Sequence, residues 1–171
     1  YDAVVHINPS FGTEALSGLN LYLDGSFREK TKDTATYQQD QADGTAQITL
    51  DIGPVSLGYG VSAIMTGYEA RGTAGKPDFY KSHMYGVAFN VNDDLAFSYG
   101  YHDTRMEGLT TRDTSKMIED NRSVEVSSWQ ASYTLGGASV RIADVKAKNV
   151  GWSNAEQADR TATVVSVGLA F

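Results

Sequence analysis

The stretch YGVAFNVNDDLAFSYGYH, Tyr85 to His102, decides how the rest of the chain is read. Tyr85, Val87, Phe89 and Val91 alternate with Gly86, Ala88 and Asn90; after Asn92-Asp93-Asp94, Leu95, Phe97, Tyr99 and Tyr101 alternate with Ala96, Ser98, Gly100 and His102. Successive side chains of a strand point to opposite faces, so each half sorts apolar from small and polar residues. The Asn/Asp cluster between them has the chemistry of a tight turn. The stretch therefore predicts an antiparallel hairpin with two unlike faces.

The same period of two recurs on both sides. Between Gly18 and Lys30, Leu19, Leu21, Leu23, Gly25 and Phe27 oppose Asn20, Tyr22, Asp24, Ser26 and Arg28. Ala46, Ile48, Leu50 and Ile52 oppose Thr45, Gln47, Thr49 and Asp51 up to Gly53-Pro54, and Val55, Leu57, Tyr59, Val61, Ala63 and Met65 follow, with Ile64 alone out of pattern. Trp129, Ala131, Tyr133 and Leu135 lead to Gly136-Gly137; Ala138, Val140 and Ile142 return opposite Ser139, Arg141 and Ala143, and the phase slips near Asp144 and Val145. Val165, Val167, Leu169 and Phe171 share one face of the last run. With Ala3 to Asn8 this gives about nine strand-like segments in one unit spanning 1–171; a competing count starts at Gly18 and gives eight, leaving the first segment outside.

Turns alternate between tight (Gly53-Pro54, Asn92 to Asp94, Gly136-Gly137) and long and polar (Glu29 to Asp43, Glu69 to Lys81, Asp103 to Arg122, Lys148 to Arg160). Ten Tyr, 17 Gly and only 3 Pro suit many strands joined by turns, and no segment has a helical period. Net charge of −7 argues against a nucleic-acid partner, which needs clustered Lys and Arg. With no Cys there are neither disulfides nor thiolate metal sites. The chain opens at Tyr1 without a Met or an apolar leader, so an export signal is expected upstream.

No window holds the ~18 apolar residues of a membrane-spanning helix, and mean hydropathy is −0.33. A membrane barrel passes beneath that filter because only alternate residues meet lipid. The polar face separates such a barrel from a soluble one. Soluble sheets load it with Lys, Glu and Arg, whereas Val55 to Thr66 and Tyr85 to Val91 carry no charge and their second face is Gly, Ser, Ala, Thr and Asn. Phe89, Phe97, Tyr133 and Phe171 cluster near the tight turns, as in one aromatic girdle, with Tyr85, Tyr101 and Trp129 placed for the other. So many small inward residues would leave voids in an eight-stranded barrel but suit a wider, water-filled one. The expected fold is an all-β, antiparallel transmembrane β-barrel, with these strands as part of a wall of about sixteen.

The hairpin Tyr85 to His102, the hairpin QASYTLGGASVRIAD (Gln130 to Asp144) and the ending TVVSVGLAF (Thr163 to Phe171) resemble the C-terminal half of general porins of Gram-negative bacteria, in particular the alphaproteobacterial type. The resemblance implies an outer-membrane location, a sixteen-stranded barrel, a homotrimer and passive diffusion of small polar solutes and ions. It also implies recognition of the terminal strand, ending in Phe171, by the outer-membrane assembly machinery. The family's inward-folded constriction loop belongs to its N-terminal half and is not identified in this sequence.

By phase, Tyr22, Asp24, Arg28, Gln47, Asp51, His102, Gln130 and Arg141 are the candidate pore-lining residues, and Leu21, Leu57, Val87, Phe89, Phe97, Tyr133, Val167, Leu169 and Phe171 the candidate lipid-facing ones. Lumen charges set the field an ion meets, although an internal salt-bridge network would use the same residues. Ser98 and His102 share a face, but Asp103 falls on the other and no G-x-S-x-G is present, so no enzyme is expected. His6, His83 and His102 lack ligand spacing, and neither metal nor cofactor is expected. A small eight-stranded barrel serving as an anchor or adhesion scaffold is the alternative.

Overall fold

The computed structural model describes residues 1–9, 18–30, 39–67, 77–113, 116–152 and 158–169, with side chains for all of these except 108–113 and 116–122. Nine strands account for most of them: β1 (Asp2–Ile7), β2 (Leu19–Arg28), β3 (Gln41–Ile52), β4 (Val55–Met65), β5 (Phe79–Asn90), β6 (Leu95–Asp113), β7 (Lys116–Leu135), β8 (Ala138–Lys148) and β9 (Arg160–Leu169). One 3-10 turn, Val150–Trp152, follows β8. Each strand pairs antiparallel with the next in a single sheet, ordered β1 to β9. The sheet is open, its outer edges on β1 and β9 having no strand partner among the described residues.

Directly paired residues of antiparallel strands point to the same side, so the register tests the sidedness read from sequence. One cross-strand row runs Leu21, Ile48, Tyr59, Tyr85, Tyr101; another runs Val55, Phe89, Phe97, Ala131, Ile142, Val165. A row of the opposite face runs Asp51, Ser56, Ala88, Ser98, Gln130, Ala143, Val164. The two faces thus stay distinct across the whole sheet. The first segment belongs to it as well, pairing from Asp2↔Ser26 to Ile7↔Leu21, so the count of eight beginning at Gly18 does not hold.

Two expectations are corrected. Asp103 to Arg122 is not a long loop: β6 and β7 run on as a ribbon up to Asp113↔Lys116, with a register shift between Met106 and Leu109. Nor does the phase slip near Asp144 and Val145, because pairing with β7 is unbroken from Leu135↔Ala138 to Glu125↔Lys148. In both places the pleat continues while the residues of the apolar face give way to charged ones. Asp144, Lys146 and Lys148 follow Ile142 on its own side, and Asp103, Arg105 and Glu107 follow Tyr101. Two of the other three long connections are shorter than expected at their ends, since β3 already begins at Gln41 and β5 at Phe79.

Local chemistry makes the short turns. Asn92 Oδ1 accepts from the backbone N–H of Asp94 at 2.9 Å and of Leu95 at 2.8 Å, closing the β5–β6 turn. Gly136 sits at φ +59, a left-handed conformation that the β7–β8 turn requires. Neighbouring feet are tied together, Asn90 N–H donating to the Pro54 carbonyl and Thr134 N–H to that of Asp94, both at 2.8 Å.

These feet are staggered. Following partners from Ile52↔Val55, the foot of β3–β4, leads to Ala131 on β7, four residues short of the β7–β8 foot at Leu135. That is a drop of one residue per strand. With ~3.4 Å per residue and ~4.8 Å between strands it corresponds to a strand tilt of about 35°, within the range of closed barrels.

Among the described residues nothing is packed behind the sheet. Met106 and Ala158, 5% and 8% exposed, are the only buried hydrophobic residues among those described, while Val167 and Leu169 are 65% and 62% exposed. The chain exposes 11820 Å², whereas a compact soluble monomer of its mass would expose about 8,200 Å². Stability therefore rests on the ladder and its turns. Gly136→Val is expected to cost about 1–2 kcal/mol, read as a lower urea midpoint in detergent micelles. Gly86→Ala, where an added Cβ meets nothing within 4 Å, should shift that midpoint little.

Candidate functional site

The polar face is the candidate site, and the register puts all eight residues read as pore-lining on it. Tyr22, Gln47 and His102 lie on one row with Gly60 and Met84; Asp51 and Gln130 share the row given above; Arg141 pairs with Ser132 and Ser166; and Asp24 and Arg28 alternate with Tyr22 along β2. Leu21, Leu57, Val87, Phe89, Phe97, Tyr133, Val167 and Leu169 all lie on the other side, and Phe171 falls outside the described residues. Small residues keep the middle of the polar face open. At Gly60 the space is tight, because a Cβ there would stand 3.1 Å from both Gln47 Cγ and Met84 Cε, and these side chains would have to give way by a few tenths of an ångström.

Charge on this face is separated along the sheet. Carboxylates occupy β1 to β3 (Asp2, Asp24, Asp43, Asp51), accompanied by Arg28, and guanidinium groups occupy β8 and β9 (Arg141, Arg160). Between them β4 to β6 offer Ser, Thr, Gly and Ala, with His102 and Tyr80 the only titratable groups on this face among the described side chains. Counted along each strand from its foot, Asp51 is one residue up, Arg141 three and Asp24 five. Opposite charges at the two ends of the sheet thus fall within about 11 Å of depth at the tilt derived above.

Hydrogen bonds hold several of these groups. Ser26 Oγ donates to Asp43 Oδ2 at 2.6 Å, and Asn8 Nδ2 donates to Asn20 Oδ1 at 3.0 Å. His6 Nε2 meets the same Asn20 oxygen at 3.2 Å, and the His6 ring stacks on Tyr22 with centroids 4.3 Å apart and planes within 5°. Further along, Ser82 Oγ, Thr104 Oγ1 and His102 Nε2 form a chain with both links at 2.9 Å. Sequence reading missed this chain because Thr104 lay in the supposed loop. The pleat places Ser98 and His102 about 13 Å apart, His102 engages Thr104 instead, and Asp103 is on the opposite side. No group of three or more His, Asp or Glu that could hold a metal ion occurs among the described residues.

The opposite face is banded. Above the apolar residues near the feet, Phe89, Phe97 and Tyr133 among them, runs a belt of rings, with centroids 5.1 Å apart for Tyr59 and Tyr85, 6.1 Å for Tyr85 and Tyr101, and 4.5 Å for Tyr99 and Trp129. Charged residues stand directly above it, including Asp103, Arg105 and the Glu125–Lys148 pair at 3.6 Å. The apolar zone spans eleven residues on β3 and on β4, from Ile52 to Ala42 and from Val55 to Met65. On β6 it spans seven, from Leu95 to Tyr101, and on β8 five, from Ala138 to Ile142. No family model, no curated relative and no solved structure matches the chain.

Proposed function

We propose that this chain forms part of the wall of a water-filled outer-membrane channel, a porin through which small polar solutes and ions diffuse passively. The observation that carries the reading is the division of nine strands into an apolar, ring-belted face and a mostly small-residue polar face, with no core behind either among the described residues. Hydrocarbon is the solvent the first face suits, and water the second. Unpaired backbone groups cost several kcal/mol each in lipid, so the free edges of β1 and β9 call for further strands, and a barrel of about sixteen closes the wall. A barrel that wide need not fill its interior, which agrees with Gly58, Gly60, Gly86 and Gly100 on the inner side.

The opposed charges supply a field across such a lumen. Where the apolar zone reaches only about 17 Å, as on β6, it is shorter than the ~25 Å of a membrane barrel's lipid band. That stretch of wall, with its mixed charges above, suits cover by a second copy, and we assign a homotrimer on this basis and on the resemblance to general porins. The terminal strand would be the segment read by the outer-membrane assembly machinery.

Planar-bilayer recording of the natural full-length protein tests the pore. Steps on the order of a nanosiemens are expected from an open barrel; near silence would favour the small filled barrel acting as an anchor or adhesion scaffold. Arg141→Glu should move the reversal potential in a salt gradient toward cation selectivity, and an unchanged potential would remove Arg141 from the lumen. In mild detergent the protein should migrate as an oligomer that heating dissociates. Monomer migration with and without heat would end the trimer assignment.

A further inference from the structure

The polar face is not uniformly polar. Near the start of β5, farthest from its tight turn, Ile64, Tyr80 and Met106 share one row on this face, Val124 and Val126 lie beside them on β7, and Met106 is the most buried hydrophobic residue described. The chain leaving β8 accounts for this patch. Asn149, Gly151 and Trp152 take φ of +54, +71 and +61, a run of left-handed conformations that costs free energy at the two non-glycine positions. Specific contacts compensate: Asn149 Nδ2 donates to the Ser123 carbonyl at 3.1 Å, Asn149 N–H to Asp159 Oδ1 at 3.0 Å, and Trp152 N–H to the Asn149 carbonyl at 2.9 Å. The turn thereby carries Trp152 back across two strands to Tyr80 on β5, where the ring centroids lie 5.4 Å apart at 40°. Both rings stay half-exposed.

Beside this aromatic pair, one pleat repeat along β5 (~7 Å), lies Ser82, the start of the Ser82–Thr104–His102 chain. No carboxylate, Lys or Arg shares the polar face of β5 or β6 among the described side chains. A tilted pair of rings next to a row of side-chain donors and acceptors matches a solute with an apolar face and a hydroxyl rim. We infer that Tyr80, Trp152, Ser82, Thr104 and His102 form a binding subsite for neutral pyranose sugars at the long-loop end of the polar face. A sugar ring stacks through its C–H face on Trp152 and Tyr80 while its hydroxyls exchange hydrogen bonds with Ser82 and Thr104. As a solute route the subsite rests on the pore reading; as a binding site it does not.

The experiment keeps those two apart. These residues include two Trp, and Trp129 lies on the other face, so Trp129→Phe, with any Trp elsewhere in the full-length protein also replaced by Phe, leaves Trp152 as the sole indole reporter in detergent micelles. Titration with maltose should give a saturable change in its fluorescence, and titration with sorbitol, a linear polyol, should not. In that background Tyr80→Ala should weaken the maltose response about tenfold, the loss of one stacking face, and Tyr80→Phe should restore it. If the channel conducts, maltose should also block its current saturably, and Trp152→Ala should relieve the block. Absence of a saturable maltose signal, an equal response to sorbitol, or a Tyr80→Ala variant that binds like its parent would overturn the subsite. A silent bilayer combined with a normal fluorescence titration would overturn the pore reading alone.

Discussion

The antiparallel backbone ladder is the constraint on which everything else depends. Nine strands pair in sequence order with their neighbours, and almost no hydrophobic residue is buried against another layer. An ordinary domain gains its stability by bringing apolar faces together. This sheet instead leaves its apolar face exposed to whatever surrounds it, so the ladder must satisfy the backbone unaided. In hydrocarbon that requirement becomes absolute, because no water is present to accept the N–H groups a gap would free.

From the ladder follows the placement of side chains. A stagger of one residue per strand tilts the strands, so hydrogen-bonded partners are not at equal height, and groups at equal height are not partners. Asp51 and Arg141, distant in sequence and never paired, come near one level in this way. On the outer side the same slope sets the ring belt obliquely across the rows, from Tyr59 on β4 to Trp129 on β7.

Where an alternating residue meets two different solvents, the sequence already reveals the strand. Leu57 beside Gly58 and Phe97 beside Ser98 state both element and face, and the register agrees at each. Where both faces meet the same solvent the signal vanishes though the strand does not. That is why Asp103 to Arg122 reads as a loop, and why Asp144 reads as a change of phase when it is only the end of the apolar zone. Trp152 was hidden for another reason: its partner Tyr80 is distant in sequence, and the turn that joins them rests on left-handed residues that no periodicity encodes. Ile64, an apolar residue out of phase, was the one visible hint that the polar face held an apolar patch.

The long β6–β7 ribbon carries a liability of its own. Past Phe79↔Glu107 on one side and Glu125↔Lys148 on the other, no further strand flanks it among the described residues, and of the margin beyond Glu125 the Ser123 carbonyl is taken by Asn149. Such margins invite stray strands to add on. Nine of the twenty residues from Asp103 to Arg122 are charged, a density that keeps a foreign strand from settling there. The composition that imitates a flexible loop is also one that discourages edge pairing along a two-stranded ribbon.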